Sequence, residues 1–338
     1  MASRLHANTP GEGNARSCTG DPHARYRGMG CAGQPFVRGP DPSRRPRLAS
    51  SCTRAAHVRR WKPPEIADGV GAERMSVLQR NNVTVSGSGR RTIVFAHGFG
   101  CDQQAWKDVI PAFSTEYRTV AFDHVGAGQS DLSAFDPEKY GSLHGYKRDI
   151  LEVLDALDLS DVIFAGHSVA AMMGMLAAIE QPDRFASLIM VCPSPCYVDE
   201  PGYKGGFSRQ DLDELLEVID SNFLGWARDG SRAIMGNPDR PELGSDLGES
   251  FCRTDPSIAA HFARVTFLSD HRSDLPKCET RTLVLQTMSD MVAPEEVGQY
   301  VAARMPNAQL HIMAATGHCP HMSAPAETIE AMRQILDS

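Results

Sequence analysis

Three residues of this 338-residue chain have the types and the order that nucleophilic catalysis requires. Ser168 lies in the stretch GHSVA at 166–170, Asp290 follows a later apolar run, and His318 follows the last apolar run. A serine becomes a strong nucleophile when a histidine takes its proton and a carboxylate holds that histidine in the correct tautomer. The order Ser, Asp, His therefore predicts acyl transfer through a catalytic triad.

The surroundings of Ser168 resemble the pattern G-x-S-x-G, which marks a sharp turn between a strand and a helix. Ala170 replaces the last glycine, adds one methyl group and favours the helix that follows. Taken alone, Ser168 is also typical of a helix N-cap, Asp290 of a turn and His318 of a polar surface loop. All three at the ends of predicted strands favour the catalytic interpretation.

Acyl transfer also needs two N–H donors for the negative oxygen that develops on the substrate. One donor is expected from Val169, the residue after the serine. The other is expected from Phe99 in HGFG at 97–100, the loop after the first long strand. The ring of Phe99 is also a candidate hydrophobic plug, and the two roles are compatible because the donor is its main chain.

Other chemistries fit the residues less well. His318 and His321 with Cys192 and Cys196 invite a metal interpretation, but their spacing matches no zinc pattern. The glycines of GAG at 126–128 lack the lysine and the spacing of a phosphate-binding loop. We therefore predict that the protein uses no metal and no cofactor.

The elements that must position these residues are predicted from apolar runs and helical periodicity. Strands are expected near 83–89, 91–96, 117–122, 162–165, 187–192, 282–286 and 309–313, and helices at 104–113, 145–157, 168–181, 294–304 and 325–336. Continuous apolar strands that alternate with helices indicate an α/β fold with a mostly parallel sheet covered by helices on both faces.

The regular alternation of strands and helices is interrupted at about 194–275. This insert is rich in aromatic residues and has several helix-like pieces. It is too long for a loop. We predict a helical cap, or lid, over the carboxyl edge of the sheet, where open α/β sheets bind ligands.

Composition narrows the class of protein. Hydrophobic residues make up 41% of the chain and charged residues 22%, as in soluble globular proteins. The sequence contains no run of about 18 apolar residues, so it predicts no membrane span. Its start lacks the pattern of a secretory signal. We therefore expect a cytoplasmic protein whose nine cysteines are free thiols.

The charge differs between the two parts of the chain. Residues 1–74 carry a net charge of +7 and residues 75–338 one of −15, by the count of Lys, Arg, Asp and Glu. An acidic body argues against nucleic-acid binding. The Arg- and Pro-rich segment 1–74 is predicted to be a disordered basic extension. It is interpreted either as an interaction arm or transit peptide or, by hypothesis, as a mis-assigned start before a native Met75.

Several motifs together resemble one branch of the α/β-hydrolases. They are HGFG at 97–100, FDHVGAGQS at 122–130, YGSLHGY at 140–146, GHSVA at 166–170 and GHCPHMSAP at 317–325. This is the RsbQ-like branch, which holds the bacterial stress regulator RsbQ and the plant karrikin and strigolactone receptors. The resemblance extends from about residue 75 to the end of the chain.

The resemblance implies an α/β-hydrolase core over 75–338, with a lid of four helices above the serine. It supports Ser168, Asp290 and His318 as the triad. Phe99 and Val169 are supported as oxyanion donors. Lid residues implied as lining an apolar pocket are Phe207, Trp226 and Phe262.

Two functions follow as expectations. The first is a serine hydrolase for a small apolar ester, lactone or enol ether. The second is a ligand-sensing regulator that binds or slowly hydrolyses a small molecule and signals to a protein partner, such as a phosphatase or sensor protein. The triad serves both, so the sequence does not separate them.

Overall fold

The fold is described by a computed structural model over residues 76–336, and the predictions about segment 1–74 lie outside these residues. Seven strands form one sheet in the order β1-β3-β2-β4-β5-β6-β7. They are β1 (Thr84–Ser86), β2 (Thr92–Ala96), β3 (Arg118–Phe122), β4 (Val162–His167), β5 (Phe185–Val191), β6 (Thr282–Ser289) and β7 (Ala308–Thr316). Only β1 pairs antiparallel, with β3, and every other neighbouring pair is parallel.

Eight helices accompany the sheet in the described residues after β1. They are α1 (Leu143–Ala156), α2 (Val169–Glu180), α3 (Arg209–Met235), α4 (Pro241–Cys252), α5 (Pro256–Phe267), α6 (Glu295–Arg304), α7 (Pro320–Ser323) and α8 (Pro325–Leu336). The predicted α/β fold, with its mostly parallel sheet, is thereby confirmed.

The central strands are buried on both faces, which explains their continuous apolar sequences. Every residue of β2 and β4 is buried. Helix α2 packs closely on β4 because Gly174 has no side chain, and a Cβ there would lie 2.3 Å from the ring of Phe164. The predicted serine-bearing turn is therefore held between two tightly packed elements.

One predicted helix is wrong. The segment predicted as a helix over 104–113 forms two short 3-10 turns, Gln103–Trp106 and Ile110–Ala112. Pro111 lies at the start of the second turn, and proline lacks the N–H that would continue the first turn as an α-helix. Asp102 caps the first turn by accepting a hydrogen bond from the backbone of Gln104.

Between β5 and β6, helices α3, α4 and α5 form a layer that we call the lid, residues 209–267. Non-helical backbone at Asn222 divides α3 into two helical pieces, so the lid consists of four helical segments. Ser208 and Asp211 form a reciprocal capping box at the start of α3, and Gly236 ends it in a left-handed conformation. These local signals define where the lid begins and where it turns back.

Two further observations concern residues 76–336. Among the helices of residues 76–336, none has the length and apolar character that would let it span a membrane. The six cysteines in this range are all free, and five of them are buried.

Candidate active site

Ser168 lies at a tight turn between β4 and α2. Its backbone has φ 55° and ψ −124°, an unusual conformation for a residue other than glycine. A Cβ at Gly166 would lie 2.8 Å from the backbone of Ala170, so the turn closes only with glycine at 166. Ala170 itself is fully buried and helical. The GHSVA stretch thus forms the sharp strand-turn-helix corner that its pattern predicts.

The structure brings Ser168, His318 and Asp290 together. His318 Nε2 lies 2.8 Å from Ser168 Oγ, and His318 Nδ1 lies 2.7 Å from Asp290 Oδ2. The side chain of Asp290 is fully buried and that of His318 is 6% exposed. These contacts link the hydroxyl, the imidazole and the carboxylate in one continuous chain, shielded from water.

The loop after β6 fixes the carboxylate of Asp290. Its other oxygen, Oδ1, accepts hydrogen bonds from the backbone N–H groups of Val292 and Ala293, at 2.8 and 3.1 Å. Both carboxylate oxygens therefore have partners: Oδ1 has two backbone N–H groups and Oδ2 has His318. This arrangement leaves Oδ2 free to hold Nδ1 and to orient the imidazole.

Two buried histidines, His167 and His321, lie close to the triad. His167 Nε2 lies 2.8 Å from the carbonyl oxygen of His318 and supports its loop. The rings of His167 and His321 lie 4.4 Å apart, and His321 also packs on Trp106. Burial lowers the pKa of His167 well below its usual value and that of His321 to about 3. These imidazoles are neutral at pH 7, and sequence analysis did not single them out as a group.

The HGFG loop lies directly beside Ser168. A Cβ at Gly98 would lie 3.2 Å from Ser168 Cβ and 2.5 Å from His167 Nδ1, so only glycine allows this approach. Phe99 follows at once, and Val169 is the first residue of α2. The structure therefore places both predicted oxyanion donors in the segments next to the serine.

The residues predicted to line the pocket belong to one aromatic cluster around Phe99, to which the lid contributes Trp226 and Phe262. The ring centroid of Phe99 lies 6.2 Å from that of Trp226 and 5.6 Å from that of Phe262. Phe207 joins the cluster through Phe267, at 6.2 Å, and Phe267 lies 6.0 Å from Phe99. All three predicted residues are thus connected to Phe99, directly or through Phe267.

Aromatic residues of this cluster that were not among the predicted pocket residues include Tyr197, Phe251 and Phe267. Phe251 packs against Phe99 at 5.5 Å and Phe267 against Tyr197 at 5.0 Å. Tyr197 follows β5 at the carboxyl edge of the sheet, a position that could have marked it. Phe251 and Phe267 lie on lid helices, whose packing the sequence does not specify.

One group of side chains in the described residues has the donor types of a metal site. The donor atoms of Cys192, Asp290 and His318 all lie within 4.8 Å of one another. Burial and the nearby Asp290 raise the pKa of the Cys192 thiol well above its usual range, which disfavours the thiolate that a metal needs. Asp290 and His318 are also hydrogen-bonded to each other. Asp290 and His318 therefore fit the triad with Ser168 better than a metal centre with Cys192.

The lid is attached to the loop that carries His318. The N–H of His318 donates to the carbonyl oxygen of Ile234, at 2.9 Å, at the end of α3. Asn237 donates to the carbonyl oxygen of Thr316, at 3.1 Å. Between them, Gly317 has φ +85° and approaches α3 so closely that a Cβ would lie 1.8 Å from the carbonyl oxygen of Met235.

We expect Gly317→Ala to displace His318 and to lower kcat/KM by roughly 100-fold, the effect of a misplacement of about 1 Å. Steady-state kinetics with an ester and urea unfolding measure the two consequences. Gly202→Ala is the matched control, because Gly202 also has positive φ, +81°, but nothing lies within 4 Å of the added methyl. Both variants should lose stability, and only Gly317→Ala should lose activity. Equal activity in both would contradict this link.

Comparison with known proteins identifies the class that this fold and site define. The alpha/beta hydrolase family matches residues 93–331, and the chain belongs to this family.

Its relatives include plant and bacterial proteins. A karrikin insensitive 2 receptor from Petunia hybrida is 35% identical over 76% of this chain and 95% of its own length. A strigolactone esterase from Arabidopsis thaliana is 32% identical over 77% of this chain and 98% of its own. The solved structure of a hydrolase from Oleispira antarctica is 41% identical, with a TM-score of 0.77, over 78% of this chain and 97% of its own. The resemblance noted in the motifs is confirmed.

Proposed function

We propose that this protein is a serine hydrolase for small apolar esters or lactones. The observation that carries the proposal is the chain of contacts from Ser168 Oγ to His318 Nε2, at 2.8 Å, and from His318 Nδ1 to Asp290 Oδ2, at 2.7 Å. The esterase name of a relative that is 32% identical supports the same reaction class.

In the proposed mechanism, Ser168 Oγ attacks the carbonyl carbon while His318 takes the hydroxyl proton. Asp290 holds the imidazole in the required tautomer and stabilises its positive form. The N–H groups of Phe99 and Val169 bind the oxygen that becomes negative. His318 then protonates the leaving oxygen, and water attacks the acyl-serine in the second half of the reaction.

The substrate class is inferred from the lining of the site. The cluster around Phe99 is built from aromatic rings, and an apolar lining selects apolar acyl and leaving groups. The lid contributes Trp226, Phe251 and Phe262 to this cluster, and we expect these rings to limit the size of the substrate. We therefore favour esters or lactones with a few carbon atoms on either side of the carbonyl.

A second candidate function is a ligand-sensing regulator with a protein partner. The observation in its favour is a set of three large hydrophobic side chains, Val218 and Leu224 on the lid and Leu268 directly after it, that are 45 to 47% exposed. In this alternative, the three side chains belong to the surface that contacts the partner. A receptor from Petunia hybrida that is 35% identical also favours this alternative.

The test is covalent labelling together with turnover. The purified protein is incubated with a fluorophosphonate and, separately, with p-nitrophenyl acetate, beside Ser168→Ala. We expect labelling and turnover in the wild type and neither in the variant. Stoichiometric labelling with almost no turnover would favour the sensor, and absence of labelling would overturn the assignment of the nucleophile.

A further inference from the structure

The side chain of His167, the residue before the nucleophile, is bonded to the main chain of His318. His167 is the last residue of β4 and is 2% exposed. Its Nε2 lies 2.8 Å from the carbonyl oxygen of His318, and a carbonyl oxygen can only accept a hydrogen bond. His167 therefore donates from Nε2. One side chain thus joins the strand that leads to the serine to the loop that carries the base.

This hydrogen bond also decides which nitrogen of His167 carries the proton. Burial lowers the pKa of His167 well below its usual value, so the ring is neutral at pH 7 and has a single N–H group. That proton lies on Nε2, because the carbonyl oxygen needs a donor there, whereas Nδ1 has no hydrogen-bond partner in residues 76–336. The donor toward His318 is therefore present at neutral pH.

Close packing fixes the ring of His167 in this orientation. A Cβ at Gly98 would lie 2.5 Å from Nδ1 and 3.0 Å from the Cε1 carbon of the ring, so one edge of the ring lies against the backbone of the HGFG loop. The ring centroids of His321 and His318 lie 4.4 Å and 4.9 Å from that of His167. A ring held on these sides keeps the His318 backbone at a fixed distance from β4.

The chain that follows His318 directs its own donors elsewhere. The N–H groups of Met322 and Ser323 both donate to the carbonyl oxygen of Cys319, at 3.0 Å. The N–H of His318 itself donates to the lid, at 2.9 Å. The bond from His167 is therefore the contact that ties the backbone of the base to the strand that precedes the nucleophile.

We propose that His167 is a positioning residue that holds the imidazole of His318 where it can take the proton of Ser168. The inference rests on the proposed hydrolase function. His318 Nε2 lies 2.8 Å from Ser168 Oγ, and a misplacement of about 1 Å lowers a rate by about 100-fold. In this role His167 touches neither the substrate nor the reacting atoms. The serine proton moves to His318 Nε2, and His167 keeps its own proton.

The test compares two amide side chains that differ in reach. In His167→Gln the amide nitrogen can take the place of Nε2 and donate to the His318 carbonyl oxygen. In His167→Asn the amide nitrogen corresponds to Nδ1 and does not reach that oxygen. With p-nitrophenyl acetate we expect kcat to fall by about 10- to 100-fold in His167→Asn and by less than about 3-fold in His167→Gln.

The Michaelis constant separates positioning from a change in the substrate pocket. The ring of His167 packs on Gly98, His318 and His321, whereas the proposed apolar lining is the aromatic cluster around Phe99. KM should therefore change by less than about 3-fold in both variants. The rate of fluorophosphonate labelling of Ser168 should follow kcat, because labelling also requires the serine to lose its proton.

The matched control is His321→Asn, which makes the same substitution at a neighbouring buried histidine. Neither ring nitrogen of His321 has a hydrogen-bond partner in the described residues, so this variant leaves a similar cavity without removing a bond to the base. It should keep kcat within about 3-fold of the wild type. Urea unfolding verifies that each variant is folded. His167→Leu, which fills more of the space and donates nothing, takes the place of His167→Asn if that variant does not fold.

Each outcome bears on one of the two proposals. A loss in His167→Asn that His167→Gln restores supports the positioning role. Equal losses in these two variants, full activity in both, or an equally large loss in His321→Asn would overturn it and leave the hydrolase proposal standing. If the wild type neither hydrolyses the ester nor reacts with the fluorophosphonate, the hydrolase proposal fails and this inference fails with it.

Discussion

Replacing Asp290 with asparagine should lower kcat/KM for an ester by about 10⁴-fold, the size of this change in other triads. The reason is that the two carboxylate oxygens of Asp290 have different hydrogen-bond partners. Oδ1 accepts the backbone N–H groups of Val292 and Ala293, so an amide at 290 keeps its oxygen there. The amide nitrogen then faces His318 Nδ1, which must become an acceptor. The ring proton moves to Nε2, and His318 can no longer accept the proton of Ser168.

The measurement is steady-state hydrolysis of p-nitrophenyl acetate, with circular dichroism to verify the fold. Asp131→Asn is the matched control. Asp131 is an exposed carboxylate that accepts hydrogen bonds from Ser133, outside the site. We expect it to retain full activity. A loss of less than about 10-fold in Asp290→Asn would show that the carboxylate does not control the tautomer of His318.

The second large effect is acid destabilisation by buried histidines. His97, His124, His167 and His321 are at most 2% exposed. Burial lowers the pKa of all four, well below the usual value for His124 and His167 and to about 3 for His321. In the unfolded chain each would titrate near its ordinary pKa of about 6.5. The unfolded state therefore binds more protons than the folded state once the pH falls below that value.

The sign of the effect follows from this difference. The stability that comes from keeping the imidazoles neutral is complete above about pH 6.5 and is lost as the pH falls toward the folded pKa values. Each histidine lowers the free energy of unfolding by up to roughly 1.4 kcal/mol per pH unit. Four together lower it by several kcal/mol between about pH 6.5 and 5, a large part of the stability of an ordinary domain. Carboxylates contribute only at lower pH.

Urea unfolding at about pH 7.5, 6 and 5 measures this slope. His321→Leu should reduce the slope by up to one proton, because His321 has no hydrogen-bond partner on either ring nitrogen in the described residues. Met322→Leu, at the next position, is the non-titrating control and should leave the slope as it is. A free energy of unfolding that stays constant from pH 7.5 to 5 would contradict the assignment of neutral, buried imidazoles.

The strands of the sheet were predicted well because their sequences follow one easily recognised pattern. Strands β2 to β6 are continuous apolar runs, since parallel strands under helices are buried on both faces. Helix α8 begins at Pro325 and ends at Leu336 as predicted, because a proline and an amphipathic period mark it. The segment 104–113 was predicted wrongly, because Pro111 interrupts a pattern whose periodicity alone resembles an α-helix.

The sequence by itself also determined which residues come together as Ser168, Asp290 and His318. Parallel strands end at one edge of a sheet, so polar residues that follow them must meet there. Only the tertiary structure revealed the attachment of α3 to the His318 loop and the group of neutral histidines. Those features depend on side-chain packing between segments far apart in the chain, such as His167 on His318. No local period or spacing encodes such contacts.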